Sequence, residues 1–109
     1  MTEKIYTMKV PPKDLKGHWA DTILYRDDAA ILHEFMGKGG EVAPHTVPYT
    51  VFIVILKGAI EVASGSLDYT RYEHGTVIEI PSGHIAGVRN NEEGIAEFLV
   101  FKAGRPQNG

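Results

Sequence analysis

A chain of 109 residues, 43% hydrophobic, with a net charge of −3 and no cysteine, is the size of one ordinary domain. It has no material for a disulfide framework, a thiolate nucleophile or a zinc–thiolate centre. The acidic balance and the absence of a Lys/Arg-rich face argue against a nucleic-acid partner. The longest unbroken apolar run, Val51 to Leu56, falls far short of the roughly 20 residues that a membrane helix needs, so no membrane partner is expected.

In chain order, MTEKIYTMKV lacks the apolar block of roughly 7 to 15 residues that a secretory signal requires, and the expected location is the cytoplasm. PPKDLKGHWADT reads as a turn or short helix that anchors Trp19 on the core. Strand signals then dominate, rich in β-branched and aromatic residues and separated by Gly, Pro, Asn or Asp. They fall at ILY near residue 24 and over residues 30–36, 49–56, 59–63, 67–72, 76–80 and 95–102.

His45 sits in a proline-flanked turn, and IVILKGAIEV reads as a tight hairpin at Lys57-Gly58. In the last strand, Ile95, Glu97, Leu99 and Phe101 share one face, and Ala96, Phe98, Val100 and Lys102 share the other. Both faces are largely apolar, which predicts a core on one side and a second layer or second subunit on the other. No window shows a clean helical period. The chain is therefore expected to be all-β and a single domain: an N-terminal arm and strand over residues 1–24, an antiparallel sandwich or barrel over 25–103 and a loose tail over 104–109.

Two glycine-bounded segments resemble the paired motifs of the cupin superfamily, small β-barrels of jelly-roll type. The first family motif runs glycine, five residues, His-x-His, three or four residues, glutamate, six residues, glycine. Gly39, Pro44, His45 and Gly58 fit it, and PHTVP is similar to the PHTHP of germin-like members. The second runs glycine, five residues, Pro-x-Gly, two residues, histidine, three residues, asparagine. Gly75, Pro81, Gly83 and Asn90 stand in its register, and the resemblance spans about residues 25 to 102. It implies a small, cupin-like jelly-roll barrel with the short segment between motifs usual in bacterial single-domain members. It also implies a homodimer, formed by strand exchange or sheet packing.

In that family three histidines and a glutamate bind a divalent transition metal, commonly Fe, Mn, Ni or Zn. Here the second histidine position is Val47, the glutamate position is Val51 and the last histidine position is Ala86, so only His45 remains. One imidazole does not hold a divalent ion against water, and three aliphatic replacements dry the cavity. No metal or other cofactor is therefore expected, and the reading is a degenerate metal site in an apolar pocket that binds a small molecule. The pocket is expected to be built from His45, Val47, Val51, Ala86, His33 and His84.

The alternative is a metal-dependent oxygenase or isomerase in which His45, His84 and His33 supply non-standard ligands, with Glu79 adding a carboxylate if it faces inward. His18 and His74 lie in turn-like polar contexts and are expected at the surface. No phosphate loop or nucleophile elbow is present in the sequence.

Overall fold

The computed structural model describes residues 2–10, 13 and 15–104. Among the described residues nine strands follow one another: β1 (His18–Tyr25), β2 (Ala29–Met36), β3 (Glu41–Thr46), β4 (Thr50–Lys57), β5 (Ala59–Ser64), β6 (Tyr69–Glu73), β7 (Val77–Ile80), β8 (Ile85–Arg89) and β9 (Ala96–Ala103). They form a five-stranded sheet in the order β1-β2-β9-β4-β7 and a four-stranded sheet in the order β3-β8-β5-β6, with antiparallel pairing throughout. This is an all-β jelly roll. Among the described residues, no helix is long and apolar enough to cross a membrane.

The period-2 alternation of the strands decides which side chains meet between the sheets. From the five-stranded sheet come Met36, Val51, Ile53, Ile55, Ile80, Ala96, Phe98 and Val100, and from the four-stranded sheet Ile60, Val62 and Val88. Leu32, Val42, Val47, Tyr72, Ile78 and Ala86 pack against this core. Phe98 is fully buried at its centre.

Three expectations change on contact with the structure. Lys57-Gly58 is not a hairpin: β4 pairs with β7 and β9, whereas β5 pairs with β6 and β8, so the chain crosses from one sheet to the other there. A strand–glycine–strand pattern reads alike for a hairpin and for a corner. The single residue between β4 and β5 is Gly58, at φ 74°, with Ala96 Cα and Ile95 O only 3.2 Å from where a Cβ would stand. Second, His18, Trp19 and their neighbours form β1 rather than a turn or short helix. Pro11, Pro12 and Asp14 of that stretch, and the tail beyond Gly104, lie outside the described residues.

Third, β3 and β8 emerge where no strand is expected. β3 is mostly exposed and carries a bulge between Val42 and His45 that accommodates Pro44, and β8 contains Gly87, so neither has a strong strand signature. Their pairing with each other makes the strands.

Asn90, fully buried, clamps this region. Its amide Nδ2 donates to the carbonyls of Met36 (2.7 Å) and Gly94 (2.9 Å), and its Oδ1 accepts from the backbone N–H of Glu92 (2.7 Å). Its own backbone exchanges bonds with the Gly39-Gly40 turn. On the outer face of the four-stranded sheet, Arg89 stacks 3.8 Å over the Tyr69 ring and donates to both Glu61 oxygens. That hydrogen bonding holds the Glu61 carboxyl below its ordinary range, so any contribution to stability is present at neutral pH and fades as pH falls through the folded value.

Candidate functional site: an apolar cavity between the sheets

A cavity of about 230 Å³ lies between the two sheets. Its wall is aliphatic and aromatic: Leu32 on β2, Val42 on β3, Val47, Val51 and Ile53 on or near β4, Ala86 and Val88 on β8, and Phe98 and Val100 on β9. The cavity is open towards β1 and β3, the edge strands of their sheets, where the lining residues His18, Ala20 and His45 are exposed. Four side chains of polar chemistry interrupt the wall: His18, Glu34, His45 and Lys102.

Each polar group is held differently. His45 is the cross-strand partner of Ala86, so two positions of the family's metal pattern face each other across the β3–β8 ladder. Its Nδ1 donates to the Ala43 carbonyl at 2.9 Å, since a carbonyl oxygen accepts only. Glu34 alternates with His33 and Phe35 along β2 and thus faces inward with Leu32 and Met36. Its buried carboxylate pairs with Nε2 of His18 on β1, and its backbone partner there is Ala20. Lys102 enters from β9, level with Ala30 and Val51, and its ammonium is 5.9 Å from the Tyr49 ring centroid.

Of the residues expected in the pocket, the structure brings together His45, Val47, Val51 and Ala86 and leaves out His33 and His84. His33, 1% exposed, lies on the opposite face of the five-stranded sheet, because its neighbours Leu32 and Glu34 take the inward positions. There its Nε2 donates to Glu97 at 2.6 Å, and its ring packs 4.6 Å from Phe35 and edge-on to Trp19. His84 is exposed in the β7–β8 turn, beside Gly65. Glu79 faces outward as the partner of Phe52, so β7 directs Ile78 and Ile80 inward.

His18 is exposed, as its polar context predicts, while its pairing with Glu34 has no counterpart in any sequence motif. A signal existed: Glu34 shares its strand face with Ala30, Leu32 and Met36, an acid within an apolar stripe. The partner on β1 was hidden because that segment reads as a turn.

This donor set does not fit the divalent metal of the family. His45 shares the cavity wall with Ala86, Val47 and Val51, none of which can ligate, and the other expected imidazoles are on a different face or in a turn. Among the described residues, no three His, Asp or Glu side chains come together in a way that would hold an ion.

No family model matches the sequence. An uncharacterized protein of Methanocaldococcus jannaschii is 24% identical over 107 residues, covering 98% of this chain and 90% of that protein. The crystal structure of an RmlC-like cupin family protein from the same organism, with a double-stranded β-helix fold, superposes with a TM-score of 0.83 at 24% identity over 97% of this chain and 94% of that one. The polyketide cyclase RemF of Streptomyces resistomycificus superposes with a TM-score of 0.76 at 15% identity over 99% and 83%. A predicted oxalate decarboxylase of Thermotoga maritima gives 0.74 at 17% identity over 80% of each chain. Nine antiparallel strands in two facing sheets, superposing over 97% of this chain on a cupin family structure, give this protein the double-stranded β-helix fold.

Proposed function

We propose that the barrel binds a small, mostly apolar molecule in the cavity between its sheets and does so without the family's metal. The observation that supports this reading most directly is the wall itself: aliphatic and aromatic side chains with a few polar groups, the usual make-up of a small-ligand site. At about 230 Å³ the space suits a compact ligand, since drug-sized sites begin at roughly 300 Å³. Val47, Val51 and Ala86 are then the ligand's contacts, and His45 and the His18–Glu34 pair supply polar contacts. The metal-dependent alternative draws no support from the positions of His33 and His84.

Filling the cavity tests the reading. Ala86→Phe projects a ring into the space between the sheets. It is expected to weaken binding of small aromatic probes at least tenfold while leaving the far-ultraviolet dichroism of the β-barrel unchanged. Undiminished binding in that variant would move the ligand elsewhere.

We infer also that two copies associate through the outer face of the five-stranded sheet. Val77, Val54 and Leu99 form one cross-strand row there, and Phe52 and Phe101 lie in the next. Segment 2–10 has no backbone hydrogen bond to the rest of the chain among the described residues, and its Ile5 and Val10 stand more than four-fifths exposed. A second copy supplies both an apolar face for such an arm and an arm for such a face. Sedimentation equilibrium is expected to return twice the chain mass of 12.0 kDa, shifting to the single-chain mass in a Val54→Lys, Leu99→Lys variant. A wild-type chain that sediments as a monomer at high micromolar concentration removes this inference.

A further inference from the structure

Two of the cavity's polar groups, Glu34 and Lys102, lie at separate levels of the five-stranded sheet. Along β9 the inward residues are Phe98, Val100 and Lys102, and their β2 partners are Glu34, Leu32 and Ala30. Glu34 and Lys102 are thus held four residues apart along the ladder, roughly 13 Å at the rise of an antiparallel strand, with Leu32, Val100 and Ile53 between them.

The two levels differ in how their charge is answered. The Glu34 carboxylate is paired within the chain by His18. The ammonium of Lys102 has no hydrogen-bonded or ion-paired partner among the described residues and lies 5.9 Å from the centroid of the Tyr49 ring. Its stem runs over the inward face between the buried residues Ala30 and Val51. A cation on the wall of an apolar cavity with no counter-charge of its own favours a ligand that brings one, because a charge-assisted bond in a dry site is stronger than a neutral one.

Resting on the pocket-binding reading above, we propose that the natural ligand is a small apolar carboxylic acid, bound as its anion with the carboxylate at Lys102 and its hydrophobic body against Leu32, Ile53, Phe98 and Val100. A cationic ligand has no free carboxylate to meet, since His18 already occupies Glu34. A neutral ligand leaves Lys102 unanswered. A larger polyanion is disfavoured because Lys102 is the one ammonium on the wall and the Glu34 carboxylate shares that wall.

Three probes of nearly equal shape decide the matter: phenylacetate, 2-phenylethanol and 2-phenylethylamine, titrated by protein-observed NMR at neutral pH against the wild type and Lys102→Met, which keeps the stem and removes the charge. Wild type is expected to bind phenylacetate at least tenfold more tightly than 2-phenylethanol and to bind the amine least. Lys102→Met is expected to lose the preference for the acid while its affinity for the alcohol changes less than threefold. Equal affinity for acid and alcohol in the wild type, preference for the amine, or an acid preference that survives in Lys102→Met each overturns the assignment while leaving the pocket-binding reading intact. Binding of none of the three, with no resonance shift at the cavity residues, overturns both. If Lys102→Met fails to fold, Lys102→Gln makes the same comparison, with the same outcomes on either side.

Discussion

Asn90→Ala is expected to destabilise the protein by about 2–4 kcal/mol, read as a lowered denaturation midpoint with an unchanged slope. The substitution removes three hydrogen bonds at once. It leaves the Met36 carbonyl, the Gly94 carbonyl and the Glu92 amide to find partners in a region where Asn90 is fully buried. A buried group left unpaired costs about 1–3 kcal/mol, and the three are not additive because the β8–β9 turn partly relaxes. Asn91→Ala is the control. Asn91 is exposed and its side chain bonds only the Glu61 carboxylate on the surface, so its loss is expected to stay within roughly 1 kcal/mol. Equal effects of the two substitutions would mean that the clamp adds nothing to the fold.

Phe98→Ala is expected to cost about 3–5 kcal/mol, the range for truncating a buried phenylalanine. That is a large part of the roughly 5–15 kcal/mol that holds a domain of this size together. Phe98 has no exposed surface, stands between Glu34 and Ile55 in the five-stranded sheet, and contributes both to the core and to the cavity wall. The space released is continuous with a cavity already present, so the surrounding strands gain little by collapsing onto it. The same variant is expected to bind a bulkier probe, naphthalene in place of benzene, more tightly than the wild type. A loss below 1 kcal/mol would show that the ring is not packed as described.

The barrel was legible in the sequence wherever burial leaves a period-2 trace. Residues 50–57, 59–63 and 96–102 alternate or run apolar because both of their neighbours in the sheet are strands, and those elements were found within a residue or two. β3 and β8 left almost no trace. One is an exposed edge strand with Pro44 in a bulge and the other is short and glycine-containing, so what makes them strands is each other. Gly58 shows a different limit: the sequence marks a reversal of direction but not whether the next strand joins the same sheet.

The site was half legible for the same reason. His45, Val47, Val51 and Ala86 were found through motif spacing, which fixes positions on the wall independently of what those positions contain. His33 was expected beside them, but a histidine on a strand points either way. Its neighbours Leu32 and Glu34 take the inward face, leaving His33 to Glu97, Trp19 and Phe35. The pairing of His18 with Glu34 leaves no trace in the spacing because it joins residues on two strands, one of which reads as a turn at His18. Arrangements that depend on two chain segments meeting are invisible to spacing alone.

If the space between the sheets is a ligand site, it takes up an apolar molecule in the folded wild-type protein. Titration of the wild type with benzene, followed by methyl and aromatic NMR, tests it in one measurement. Saturable shifts are expected at Leu32, Val47, Val51, Ile53, Phe98 and Val100, with Ile60 and the outward-facing Val54 and Leu99 unmoved. Shifts confined to Val54, Leu99 and Val77 on the outer face, or no saturable shift at all, would contradict it.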